Sequence, residues 1–256
     1  MSDWLHSLPV IGICAVVFGA TYAVTAGIYV LIVRLANGER AKAFKAVTPG
    51  LLPPLGIMFG LLIAFVAAQV WGDLDRAHAA VNHEASALRS AVLLSKAFPP
   101  ETQGRLQELV RQHIDEARNN EWPAMARHDA SLTMIPTALG QALEIALMTP
   151  VTGEGQVVAQ RELVSALGSA LEARRQRILI SGSAVNWVKW TAMLLQAVIT
   201  LVAIAMVHID NRATAKIALG LFATAIALCV LLIVVHDRPF TGQLGVPPST
   251  LVQVRP

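Results

Sequence analysis

Apolar positions along the chain gather into four long runs, Leu8–Val33, Leu51–Val70, Trp187–Val207 and Ala213–Val235, split two and two around a polar block of more than a hundred residues. Each run is near or above the ~20 apolar residues that a helix needs to cross about 30 Å of hydrocarbon. Backbone amides in lipid have no water to bond, so these runs predict helices. The leader Met1–Pro9 has no Lys or Arg. The run after it exceeds the roughly 7–15-residue apolar core of a signal peptide, so it reads as a retained helix.

Pro49, Pro53 and Pro54 stand at the entrance to the second run, where missing amide donors do least harm. Past Trp71, the positions Val81, Ala85, Leu88 and Val92 keep helical spacing. The second span therefore continues as an amphipathic helix to Lys96 and stops near Pro99-Pro100. A further helix follows Pro100, turns Leu106, Leu109, Val110, His113 and Ile114 inward, and stops near Asn119-Asn120. A third runs from Trp122 and Pro123 to about Met148, and a fourth from Glu154 through Leu163, Leu167, Leu171 and Ile178. With no strand signal, the pattern predicts an all-α membrane protein with four transmembrane helices and a helical bundle inserted between the second and third. The division is 1–71 for the first two spans, 72–186 for the bundle, 187–236 for the last two, and 237–256 for an irregular, proline-rich tail packed on the membrane-proximal surface.

Composition agrees, with 55% hydrophobic and only 14% charged residues and a mean hydropathy of +0.56, against about 25% charged in soluble domains. The formal charge of +3 does not point to nucleic acid, because residues 73–186 hold 11 basic and 13 acidic side chains. The remaining basic residues flank the spans, where they set orientation or meet anionic head groups. Membrane lipid is the expected partner and nucleic acid is not. Cys14 and Cys229 fall in different spans without CxxC spacing, so neither a disulfide framework nor a thiolate metal site is expected. His78 and His83 lie about 140° apart on a helix and miss the i, i+4 arrangement of zinc helices. GxSxG, P-loop and GxGxxG motifs are absent, so no catalytic residue, metal, cofactor or enzymatic activity is expected.

Gly56 and Gly60 form a GxxxG in the second run, and Gly19, Ala23 and Gly27 a small-residue ladder in the first. Such faces allow close helix approach, whether inside one chain, between subunits or along a pore. No Asp, Glu, Lys or Arg lies mid-span, which argues against a pump. Gln69, Gln196, Thr200 and Thr224 read as helix–helix hydrogen bonds. In the bundle, Glu84 and Arg174 both fall on inward stripes and are predicted to face each other. They form either a buried ion pair that sets register or, with Arg175 and Arg177, a vestibule that concentrates anions. Glu121-Trp122-Pro123 reads as a helix start. Asp237-Arg238-Pro239-Phe240-Thr241-Gly242 reads as a helix stop with an interfacial Arg and Phe. Both are taken as structural anchors.

Phe59-Gly60-Leu61-Leu62-Ile63-Ala64-Phe65, Glu84-Ala85, Glu121-Trp122-Pro123, the arginines of 174–177 and Asp237-Arg238-Pro239-Phe240-x-Gly242, taken in order, resemble a largely bacterial membrane family described as bestrophin-like. The resemblance covers most of the chain. Bestrophins are pentameric anion channels with four spans per subunit and a helical cytosolic region between the second and third. The resemblance thus implies a homo-oligomer, pentameric if the likeness is complete, passing chloride or other small anions. In bestrophins the second span lines the pore, beginning with a proline, carrying a glycine and ending in tryptophan, as Pro54, Gly60 and Trp71 do here. The bestrophin neck maps onto Ile57 and Leu61 beside Gly60. Their side chains are smaller than the aromatic rings bestrophins favour, which implies a wider or differently gated constriction. The acidic calcium clasp of animal bestrophins is not recognisable.

Two functions follow as expectations. The first is an oligomeric anion channel gated at an apolar neck on the second span. The second is a non-conducting scaffold or sensor whose bundle binds a protein partner. A channel turns the small and apolar face of the second span outward to an axis, whereas a scaffold buries it within one chain. The location is the cell membrane, multi-pass. Four basic residues in Arg34–Lys45, with Arg212 and Lys216, favour a cytoplasmic position for those loops. Arg76, Arg89, Arg174, Arg175, Arg177 and Lys189 near the bundle ends, with Arg238 and Arg255 in the tail, oppose them. The resemblance places the bundle in the cytoplasm.

Overall fold

The computed structural model describes residues 8–36, 44, 50–133 and 136–254. The connection carrying Arg40, Lys42 and Lys45, together with Pro49 and Arg255, lies outside the described residues. Every regular element among those described is helical. The chain divides into a span unit, 1–71 with 184–237, and a helical unit, 72–183 with 238–256.

In the span unit, α1 (Val10–Leu35) follows Pro9 and ends with Arg34 in its last turn, where a cation suits the negative end of the helix dipole. Helix α2 (Leu52–Leu94) begins with both prolines in its first turn and runs 43 residues without a break, about 65 Å at 1.5 Å per residue. Its first part belongs to the span unit and its second to the helical unit. Three apolar helices beyond this part of α2 would each suffice to cross a membrane: α1, and two helices of the later segment. Of those two, α7 spans Trp187–Val207 and α8 spans Arg212–His236. Asn caps start both: Asn186 Oδ1 accepts the Lys189 amide at 3.0 Å, and Asn211 Oδ1 the amides of Ala213 and Thr214 at 3.0 and 3.2 Å. The core of this unit gathers Ile13, Val17, Phe59, Val66, Met193, Leu201 and Ile226.

In the helical unit, α2 closes through a single 3₁₀ turn, Ser95–Ala97. Helix α3 (Pro100–Glu116) follows, with Pro at its start and Glu101 in its first turn. The expected stop at Asn119-Asn120 does not occur. The backbone widens into a π-helical turn, Ala117–Glu121, and continues as α4 (Trp122–Ala126). The third helix is likewise not continuous to Met148. It ends where the His128 amide bonds Met125 O and the Asp129 amide bonds Ala124 O, with His128 in the left-handed region at φ 59°. This pairing is a Schellman stop without the usual glycine, which is why the sequence did not announce it. Helix α5 then spans Thr137–Met148 and α6 spans Glu154–Ser181.

From Arg238 the tail belongs to the helical unit. It contains α9 (Ser249–Val252), and Phe240, Val246, Leu251 and Val254 lie in the core of the helical unit with Leu88, Ile114, Met125, Leu139 and Leu167. Apolar spacing in Val246, Leu251 and Val254 was too sparse to show as a periodic face.

Candidate functional site

Two arrangements in the chain have functional weight, one in each unit. In the span unit, α2 buries Phe59, Val66 and Val70, and Phe59 meets the Phe222 ring at 6.0 Å. The opposite face is open: Ile57 and Leu61 are 64% and 54% exposed, and Gly60, Ala64 and Ala68 are also exposed. A Cβ added at Gly19, Gly27, Gly56 or Gly60 would meet nothing within 4 Å. These glycines therefore do not serve close packing inside the chain, although that was one expectation for Gly19, Gly27 and Gly56. Gly60, Ala64, Ala67 and Ala68 instead leave a groove of about 350 Å³ against Cys229 and Leu232.

The polar side chains of the spans behave unevenly. Gln196 donates to Leu55 O at 3.3 Å, and the Tyr22 hydroxyl bonds Thr224 Oγ1 at 2.7 Å, both joining different helices. Thr200 only turns back onto Gln196 O, at 2.8 Å. Gln69 Oε1 accepts from the Lys189 ammonium.

In the helical unit, five polar side chains meet in the core: Glu84, His113, Glu121, Arg174 and Arg177, all 4% exposed or less. Their placement follows from heptad-like spacing. On α2 the buried line Ala77, Val81, Glu84, Leu88 and Ala91 carries the carboxylate. On α6 the line Leu163, Leu167, Ala170, Arg174 and Arg177 carries both guanidiniums. The π turn between α3 and α4 delivers Glu121 beside them, and α3 supplies His113.

Glu84 does not pair with Arg174. Arg177 binds it through Nε to Oε2 at 2.7 Å and Nη2 to Oε1 at 3.1 Å, and the His113 Nε2–H donates to Oε1 at 2.8 Å. Arg174 takes Glu121 instead, with Nε and Nη2 at 2.7 and 2.6 Å from Oε1. Arg177 Nη2 bridges the two pairs by reaching Glu121 Oε2 at 2.7 Å. The Arg177 guanidinium also lies 4.5 Å from the Trp122 ring centroid, a cation–π contact in a dry site. The inward stripe singled out Arg174 as the partner of Glu84, but Arg177, three residues on, shares the buried line of α6 and takes that carboxylate.

Electrostatics follow from this geometry. Burial pushes the Glu84 carboxyl up, but the Arg177 charge and the hydrogen bonds from His113 and Arg177 outweigh it and hold the group at about 2. Burial likewise works against the charged Arg177, and the carboxylates of Glu84 and Glu121 overcome it and raise its pKa. Two carboxylates thus compensate two guanidiniums. A vestibule of Arg174, Arg175 and Arg177 is therefore not what forms: two of these are enclosed and neutralised, while Arg175 is exposed and pairs with Glu172 at 3.5 Å. Glu121, expected at a helix dipole, is a buried bridge between arginines.

The remaining anchors divide between the units. In the span unit Asp237 is buried and its Oδ1 accepts the Val185 amide at 2.7 Å. In the helical unit Phe240 stands edge-on to Trp122, ring centroids 5.8 Å apart, and Trp122 Nε1 donates to Val246 O at 2.9 Å. Pro123 sits in the first turn of α4, and Pro239 O accepts the Val246 amide at 2.7 Å. Arg238, taken as an interfacial anchor, belongs to the helical unit. Gly242 adopts φ 78°, a backbone state that side chains resist. No group of three or more His, Cys, Asp or Glu that could hold a metal exists among the described residues.

Comparison with curated proteins finds no match. Among solved structures, a bacterial bestrophin homologue from Klebsiella pneumoniae, in two point variants, shares the fold. One superposes with a TM-score of 0.71 at 10% identity, covering 93% of this chain and 96% of its own. The other gives 0.68 at 10% identity, covering 92% and 95%. The Bestrophin-like domain model matches residues 19–251, from the small-residue ladder of α1 to the tail helix that closes the core. Four apolar helices, the inserted helical unit and this match along most of its length make the chain a member of the Bestrophin-like family.

Proposed function

We propose that the protein forms a cyclic homo-oligomer, a pentamer by analogy with bestrophins, whose second spans surround an anion-permeable path with an apolar neck at Ile57 and Leu61. The observation that carries this reading is the open face of α2, where Ile57 and Leu61 are more than half exposed and no neighbour covers Gly56 or Gly60. A scaffold would bury that face within the chain. The groove beside Gly60, Ala64 and Ala68 suits close approach by a helix of a neighbouring subunit, as small-residue faces do in membranes. A narrow apolar ring closes by dewetting, so the neck sets a hydrophobic gate for chloride or other small anions. The helical unit, held by its buried charge cluster, serves as a rigid base and not as a catalytic centre.

Anion efflux from liposomes tests the gate: Ile57→Ala and Leu61→Ala are expected to raise basal flux. Unchanged flux in both variants removes the neck from these residues. We place the protein in the cell membrane with the helical unit on the cytoplasmic side. Protection of that unit from protease added to spheroplasts is expected, and cleavage there reverses the orientation.

A further inference from the structure

We infer that Lys189 sets the anion preference at one mouth of the proposed path. This inference rests on the channel reading above and names the charge that reading needs once the arginine vestibule is gone. The charges of the span unit are few. Arg34, Arg212 and Lys216 lie toward the end of the spans where α1 stops and α8 begins. At the opposite end, where α7 starts, Lys189 is the one Lys or Arg among the described residues of the unit. Its ammonium bonds the neutral Gln69 Oε1, and no carboxylate pairs with it among the described residues. The acid at that end, Asp237, is buried with Oδ1 on the Val185 amide.

Two contacts hold the charge in place. The Asn186 cap fixes the Lys189 backbone at 3.0 Å, and Gln69 tethers the ammonium to α2 one residue beyond Ala68, at the edge of the open face. A lysine left free at a span end would swing toward lipid head groups on its four-carbon stem. Tied to α2, it is carried with the pore-lining helix, and cyclic assembly repeats it as a ring of ammonium groups. Rings of basic side chains select anions. One unit charge about 5 Å from an ion alters its occupancy about fourfold even at water-like dielectric.

The test is the reversal potential of the purified full-length protein in planar bilayers under a potassium chloride gradient. Wild type and Lys189→Arg are expected to favour chloride. Lys189→Glu is expected to lower the chloride-to-potassium permeability ratio about fourfold or more, and Gln69→Leu, which keeps the charge but cuts the tether, by a smaller factor. Lys189→Gln gives an intermediate ratio and replaces the acidic variant if that one fails to assemble. Conductance whose reversal potential is the same in Lys189→Glu, or in Lys189→Gln, as in wild type overturns the role of Lys189 and leaves the channel standing. A wild-type protein that passes no current overturns the channel reading and this inference with it.

Discussion

Replacing Arg177 by Met strips the buried cluster of its central cation. The guanidinium is fully buried and makes three charged hydrogen bonds, at 2.7 and 3.1 Å to Glu84 and 2.7 Å to Glu121. Methionine fills much of the volume but leaves Glu84, itself 0% exposed, with His113 alone. Removing one partner of a buried pair costs about 3–5 kcal/mol, because an uncompensated charge stays behind. In a protein of this size that is a fall of roughly 10 °C in Tm. The exposed Arg175, by contrast, should change stability by no more than about 0.5 kcal/mol when replaced by Met. A double-mutant cycle sharpens the point. Glu84→Gln combined with Arg177→Met is expected to show a coupling energy of about 1–3 kcal/mol, and Glu84→Gln with Arg174→Met a smaller one, since those two share only the bridge through Arg177 and Glu121. Thermal unfolding of the detergent-purified variants reads all of these. An Arg177→Met variant no less stable than Arg175→Met, or a stronger coupling of Glu84 to Arg174 than to Arg177, would refute the assignment of partners.

Acid should act on the same cluster. Glu84 titrates near 4.5 as a free group and at about 2 when folded, so its contribution is fully present above about pH 4.5, fades as the pH falls, and is gone below the folded value. The amount lost is roughly 3 kcal/mol at 1.36 kcal/mol per pKa unit. Chemical denaturation between pH 6 and 2.5 (an assay range of roughly that width) should show this loss in wild type and a shallower one in Glu84→Gln; equal slopes would remove Glu84 as its source. In the tail, a methyl group at Gly245 would come within 3.0 Å of the Thr241 backbone N and O. Gly245→Ala should therefore destabilise by about 1–3 kcal/mol and expose the segment after Phe240 to limited proteolysis, whereas Gly140→Ala, which meets open space, should leave the digestion pattern as in wild type.

Periodicity along the chain was enough to place the long helices, because spans of unbroken apolar residues and a 43-residue helix closed by Pro99-Pro100 leave few alternatives. What escaped were features that depend on single turns. Glu121 looked like a helix-start acid because a π turn has no composition signature. The break at His128 lacked its glycine. His113 sat on the inward face of α3, but its acidic partner, Glu84, lies on another helix 29 residues away, a pairing that no local spacing shows. A buried ion pair on the inward stripes of Glu84 and Arg174 was legible; that Arg177 is buried with them and takes Glu84, leaving Arg174 to Glu121, was not, since stripe position does not say which carboxylate folds against which guanidinium. The neck residues rested on resemblance alone, and only the fold reveals that their face is left open.

The most direct test of the central claim is the mass and symmetry of the intact protein purified in detergent, by native mass spectrometry with electron-microscope class averages. A closed ring with cyclic symmetry and the second spans around its axis is the expected result. A monomer, or a dimer with no axial path, would contradict the channel and leave the open face of α2 to lipid.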